Sequence, residues 1–233
     1  MKTNIEQQND EATPSLLGHL WASVAATAIL TVIVSGIYPV LVWGIAQLAF
    51  PNQANGSLVK KDGSYTTKDE EAVGSSLLGQ NFSAPQYFHP RPSAAGAGYD
   101  ATSSGGTNLG PLSDKLINGV ADDPATKDVD ESFAGVKQLV AAYRTENGLA
   151  ADAIVPGDAV TRSGSGLDPH ISPRNAELQT ARVAKARNIS ADEIKRLIDD
   201  NTQSPGLGIL GEPRVNVLML NLALDAKHPL QAK

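Results

Sequence analysis

The chain contains no cysteine. Disulfides and thiolate metal sites are therefore excluded, while the redox compartment stays open. Charge is missing from one long stretch: no Lys, Arg, Asp or Glu occurs from Ala12 to Val59. Basic residues are in deficit overall. Nineteen Lys and Arg against 25 Asp and Glu leave a net charge of -6, the wrong sign for a surface that binds nucleic acid, which needs clustered cations. The densest basic group is Arg182, Lys185 and Arg187, on one predicted helix. Histidine is sparse as well. His19, His89, His170 and His228 are scattered without a His-x-x-x-His spacing, so nothing points to a metal site.

Catalytic signatures are also lacking. There is no Gly-Lys dipeptide, which excludes a P-loop, whose lysine and following hydroxyl engage phosphate and magnesium. The hydrolase elbow Gly-x-Ser-x-Gly fails at Ser165, which has Ser163 two residues before it and Leu167 two after. No His-Glu-x-x-His is present. Asp168 and His170 are a conceivable acid/base pair, but Asp-Pro is common turn chemistry. Residues two apart are expected to point in different directions. No independent enzyme is expected.

What the chain does have is a long apolar run, "LWASVAATAILTVIVSGIYPVLVWGIAQLAF", Leu20 to Phe50. A helix needs roughly 20 apolar residues to cross a hydrocarbon core of about 30 Å. Leu20 to Val42 meets that, with Trp21 at one end and Tyr38 and Trp43 at the other, where amphipathic rings favour the interface. A cleaved signal peptide has a basic start and a shorter apolar run. This leader carries Glu6, Asp10 and Glu11 against Lys2, so an uncleaved anchor is the reading. Its serine and threonine hydroxyls are expected to bond back to helix carbonyls, and Pro39 lies near the far end, where a kink costs least. Ala22, Ala26 and the Ser35-Gly36 step would let another helix approach closely. The division expected is a tail at 1–15, a transmembrane anchor at 16–50 and one soluble domain at 51–233. Orientation stays open, since Lys2 precedes the span while Lys60, Lys61 and Lys68 follow it.

Beyond the anchor, Ser57 to Lys60 and Val73 to Leu78 read as short strands, with Asp62-Gly63 a turn and "SYTTKDEE" a solvated loop. Ser83 to Pro111 is a long stretch rich in Gly, Pro, Ser and Asn, an unusual length of irregular chain inside a domain. Tyr87, Phe88 and Tyr99 within it argue for packing. Helices are predicted over Asp130 to Asn147, from Ser172-Pro173 to about Arg187, and from the capping box "SADE", Ser190 to Glu193, to near Asn201. Val155 to Thr161 reads as extended, and Arg214 to Asp225 begins like a strand and finishes as a helix. The fold class is a single N-terminal transmembrane helix plus one mixed α/β soluble domain.

One stretch carries a candidate binding function. "TRSGSGLDPHISP", Thr161 to Pro173, combines glycine-freed N–H groups, the hydroxyls of Ser163 and Ser165, and a helix start at Ser172. Helix starts attract anions because their first N–H groups are unpaired. "SSGGTN", Ser103 to Asn108, is a second Gly-Ser loop. The same residues also read as a structured turn that launches the helix, and from the residues alone this structural reading is favoured.

Taken in order behind one anchor, "GSLLGQNF", "YFHPRPSAA", "SGGTNLGP", "VTRSGSGLDPHISP", "QTARVAKARNIS" and "LGEPRVNVLMLNLALD" are not anonymous. Together they closely resemble the C subunit of the Kdp-type high-affinity potassium-transporting P-type ATPase of bacteria, over roughly Leu16 to Ala226. Two regions look long for that family, Ser64–Glu71 and Gly119–Val129, and are expected to be surface insertions. The resemblance implies a non-catalytic subunit of an inner-membrane complex. Its partners would be a potassium-channel-like subunit, an ATP-hydrolysing P-type subunit and the lipid bilayer. The chain itself has no phosphorylation motif and no "TVGYG"-like filter. It implies no tightly bound cofactor, but a role as catalytic chaperone that raises the pump's apparent ATP affinity. That makes ATP a candidate ligand and gives Ser163, Ser165 and Asp168, with Gln179 nearby, a candidate nucleotide contact. The family's soluble domain is also understood to lie outside the membrane, where it could reach nucleotide affinity only through conformation. The external placement and an assembly role are the favoured reading. A membrane-anchored extracytoplasmic small-ligand-binding module is the alternative.

Overall fold

The structure, a computed structural model, describes residues 15–121 and 132–230. The 1–15 tail apart from Ser15, most of the expected insertion at Gly119–Val129, and the expected helix start at Asp130 lie outside the described residues. The chain divides into two compact units, Met1–Asn55 and Gly56–Lys233.

In the first unit α1 (Leu16–Val32), a π turn (Ile33–Ile37) and α2 (Tyr38–Ala49) form one helix, Leu16–Ala49, of 34 residues. At about 1.5 Å per residue it is roughly 50 Å long, longer than the expected Leu20–Val42 span. Ser15 caps it by accepting from Gly18 N–H. As the sequence suggests, Ser23 Oγ donates to His19 O and Thr31 Oγ1 to Thr27 O, both at 2.8 Å. Pro39 brings no N–H and needs room against the preceding turn. Directly before it the helix opens to wider spacing, with Tyr38 N–H reaching back to Ile33 O. The large apolar side chains along this helix are exposed, which suits lipid and not water. A short α3 (Pro51–Ala54) follows, and Asn55 Nδ2 closes onto Gln47 Oε1 at 3.0 Å.

The second unit is mixed α/β. β1 (Leu58–Lys60), β2 (Tyr65–Thr66) and β3 (Ala72–Ser75) make an antiparallel sheet in the order β2-β1-β3. The expected solvated loop at "SYTTKDEE" thus contributes a short strand and a 3-10 turn at Asp69–Glu71. The irregular stretch follows, then α4 (Asp114–Asn118) and α5 (Val136–Glu146). Helix α5 begins later than the predicted Asp130, because Phe133 pairs with Val120 in an isolated bridge. The extended reading of Val155–Thr161 is corrected: Gly157–Ala159 forms a 3-10 turn.

β4 (His170–Ile171), α6 (Pro173–Arg187), α7 (Ala191–Asp200), β5 (Thr202–Gln203), β6 (Arg214–Asn216) and α8 (Val217–Lys227) complete the unit, with sheet order β4-β6-β5. The capping box at α7 is formed: Glu193 N–H donates to Ser190 Oγ, and Ser190 N–H to Glu193 Oε2. Ile194, Leu197 and Ile198 recur at helical spacing and turn one face of α7 into the core. They pack with Phe88, Ile171, Val183, Val215, Leu220 and Leu224. On another side of α8, Leu218 and Leu222 meet Val59 of the first sheet, so α8 is apolar nearly all round because it is covered nearly all round.

Candidate functional site

The irregular stretch is where the motifs meet. Its first part, Ala84 to Arg91, crosses the helical core as a strap that is gripped almost residue by residue. Pro85 O and Tyr87 O accept from Arg182 Nη1 at 2.7 and 2.8 Å, and Gln86 O accepts from Arg187 Nε at 2.9 Å. Phe88 N–H donates to Asn221 Oδ1, and Asn221 Nδ2 donates to Phe88 O. His89 N–H donates to Gln179 Oε1, and Gln179 Nε2 donates to His89 O. Two consecutive backbone units are thus held by two buried carboxamides, from α8 and α6, each supplying the donor and acceptor that a neighbouring strand would supply. Phe88 is fully buried between them.

Two members of the basic cluster on α6, Arg182 and Arg187, are consumed in the same work. Arg187 also pairs with Asp225 at 2.7 Å and lies over the Tyr87 ring, 4.9 Å from its centroid. Arg182 binds Asn147 Oδ1 and Gln179 Oε1 as well. His89 sets Nδ1 at 2.8 Å from Glu146 Oε1 and Nε2 at 3.0 Å from Ala84 O. The hydrogen bond from His89, with its charge and that of Arg182, holds the Glu146 carboxyl below the usual glutamate range against the opposing effect of burial.

The second part of the stretch interlocks with "SGSGLDPHISP". Ser93 Oγ donates to Gly166 O at 2.6 Å and Gly105 N–H to Ser165 O at 2.9 Å, while Gly79 N–H, ahead of the stretch, donates to Leu167 O at 2.7 Å. Ser104 Oγ also donates to Ser165 O, and Tyr99 OH closes the strap by donating to Arg91 O. Glycine is required here for contact. A Cβ on Gly166, already at φ +69°, would stand 2.7 Å from both Ala95 N and Gly105 O, and one on Gly79 would stand 2.8 Å from Asp168 O.

Asp168 and His170 do come together, contrary to the expectation that they diverge. The helix has not begun at His170, which is a strand residue. Asp168 folds back in a side-chain turn, with Oδ1 accepting from His170 N–H at 3.0 Å and lying 3.4 Å from His170 Nδ1. Arg91 Nη1 donates to Oδ2 at 2.7 Å. Burial opposes ionisation of Asp168, yet the His170 side-chain and backbone bonds and the Arg91 guanidinium outweigh it and lower the carboxyl to about 2.

The four candidate nucleotide residues are therefore placed differently. Ser163 and Ser165 are a 3.4 Å hydroxyl pair at the turn, with Ser165 Oγ also accepting from Leu167 N–H. Asp168 is committed to Arg91 and His170. Gln179 is 1% exposed, with its amide engaged by His89, Asn175 and Arg182. The start of α6 already holds an anion of its own. Asp158 accepts from Ser172 N–H, Ser172 Oγ and Asn175 Nδ2 at 2.7 to 3.0 Å, which sets a carboxylate beside the positive end of the helix.

Residues 20–226, which include every one of these segments, match the family model described as K+-transporting ATPase, c chain, KdpC. The chain belongs to the KdpC family. A relative from Mycobacterium tuberculosis (strain ATCC 25618 / H37Rv), named potassium-transporting ATPase KdpC subunit, is 52% identical over 197 residues, 84% of this chain and 92% of the relative. One of the same name from Caulobacter vibrioides (strain ATCC 19089 / CIP 103742 / CB 15) is 49% identical over 215 residues, 92% of this chain and 96% of the relative. In this KdpC chain the signal missed by the sequence is the grip on the strap. Asn221, Arg182 and Arg187 share it with Gln179, and polar residues on an otherwise apolar face, such as Asn221 within "VLMLNLALD", were the legible hint.

Proposed function

We propose that this chain is the non-catalytic accessory subunit of an ATP-driven potassium import complex. One span anchors it, and its soluble unit lies on the extracytoplasmic side. It assembles and stabilises the complex with a channel-like subunit and a P-type subunit, and promotes ATP use by that P-type subunit through conformation. The observation that carries this is the family match over residues 20–226, shared by the apolar helix and the interlocked loops. The internal commitments of Asp168 and Gln179, and the presence of Asp158 at the α6 start, support the conformational route over direct nucleotide contact. In favour of the small-ligand reading stands a cleft of about 280 Å³ between strap and α5, lined by Phe82, Pro90, Tyr99, Leu139 and Glu146.

The missing cysteines make a direct test possible. Lys195 on α7 has a 62% exposed side chain and an ordinary helical backbone, whereas Gly148 sits at φ +64°, where a cysteine would be strained. With Lys195→Cys, a membrane-impermeant maleimide should label intact cells to the same extent as lysed ones. Labelling only after lysis would overturn the external placement and reopen direct contact with ATP. Purification of the chain without the channel-like and P-type subunits in stoichiometric amount would overturn the subunit reading.

A further inference from the structure

The His89 ring reaches back to the start of the strap, and both of its nitrogens meet acceptors. Nδ1 lies 2.8 Å from Glu146 Oε1 on α5, and Nε2 lies 3.0 Å from Ala84 O. A carbonyl oxygen can only accept. The Glu146 carboxyl, held below the usual glutamate range chiefly by its bond from His89, is ionised at neutral pH and can only accept as well. A neutral imidazole has one N–H and cannot supply both bonds. This pair of contacts requires the doubly protonated ring, on a side chain only 17% exposed.

A second arrangement is built in beside the first. Arg182 Nη1 on α6 stands 3.3 Å from His89 Nε2, while its two hydrogens are given to Pro85 O and Tyr87 O. Next to an imidazolium this is a like-charge approach, offset by Glu146. Once Nε2 gives up its proton, its lone pair is repelled by the Ala84 carbonyl and attracted by the guanidinium. The Ala84 bond is then lost, and Arg182 Nη1 satisfies Nε2 by leaving Pro85 O. Further along, Gln86 O stays with Arg187 and Tyr87 OH with Asp225, so the release stops at Pro85. The backbone of Phe88 and His89 is pinned by Asn221 of α8 and Gln179 of α6, which carry no charge. Tyr99 and Tyr143, which line the same cleft as the ring, are pushed up by burial and stay neutral.

We propose that His89 is a proton-operated latch on the strap. Charged, it ties Ala84 to α5 and leaves Arg182 to hold Pro85; neutral, it draws Arg182 to itself and frees the Ala84–Pro85 end while Phe88 stays seated. The external placement proposed above would make this a response to acidity outside the cell, but the latch and its test do not depend on that placement.

The test is spin labelling of the full chain in detergent, with the nitroxide on Ser83→Cys, an exposed position next to the latch. Its rotational correlation time should shorten at least about twofold between about pH 5 and about pH 8, the range in which a histidine changes charge. His89→Gln does not titrate and should show one mobility throughout. Glu146→Gln still accepts from Nδ1 but no longer favours the imidazolium, so the transition should move to lower pH; this variant carries the test even where His89→Gln does not fold. A label on Lys195→Cys in α7 should not respond. A flat profile at Ser83, the wild-type profile in His89→Gln, a midpoint unmoved or raised by Glu146→Gln, or a parallel change on α7 would each overturn the latch.

Discussion

Replacing Gln179 separates a clamp from a ligand contact. The Gln179 side chain accepts from His89 N–H at 2.7 Å and from Arg182 Nη2 at 2.6 Å, and donates to His89 O at 3.1 Å and Asn175 Oδ1 at 2.9 Å. In Gln179→Ala two of the four partners keep other bonds. Asn175 Oδ1 still accepts from Tyr143 OH, and Arg182 still holds Pro85 O, Tyr87 O and Asn147. The backbone N–H and C=O of His89 lose the partners that held them in a part-buried position. Each group so orphaned costs about 1–3 kcal/mol. A net loss of about 3 kcal/mol is expected, which for a domain of this size lowers Tm by about 6–12 °C.

Thermal unfolding of the full chain in detergent, followed by circular dichroism, measures it. Gln179→Glu keeps the two acceptor contacts and loses the two donor contacts, so it should fall between wild type and alanine. Asn221→Ala removes the neighbouring clamp, and because both grip one strap the double variant should lose less than the sum. An alanine variant that melts within about 1 °C of wild type while the complex loses apparent ATP affinity would refute the clamp and restore Gln179 as a contact residue.

Other consequences follow from the interlocked loops. Asp168 has a folded pKa depressed to about 2, so its contribution is present above the ordinary aspartate value and lost as pH falls from about 4 toward 2. Asp168→Asn should cost about 1–2 kcal/mol at pH 7 and flatten the acid limb of the stability profile. An unchanged limb would assign acid sensitivity elsewhere. Asp158→Ala vacates the anion position at the start of α6, and millimolar sulfate should then raise Tm in the variant and leave wild type unmoved. Equal response in both would show the position to be open in wild type. Gly166→Ala combines φ +69° with contacts at 2.7 Å and should destabilise by at least about 2 kcal/mol. A melt within 1 °C of wild type would mean that the loops part easily.

Where the signal was local, the sequence determined the outcome. The anchor is legible because hydrocarbon imposes one requirement, a long run without charge, and Leu16–Ala49 meets it. The starts of α6 and α7 are legible because Ser172-Pro173 and Ser190…Glu193 satisfy their own helix ends within four residues. What only the tertiary structure decided are interactions with partners far along the chain. Gln179 reads as free until His89, 90 residues earlier, is found against it. "SGSG" reads only as a local turn, with phosphate contact its alternative, until Gly105 and Ser93 are seen donating to its carbonyls. Glycines and carboxamides carry no periodicity, so their use is set by whichever backbone arrives, and that is a property of the fold.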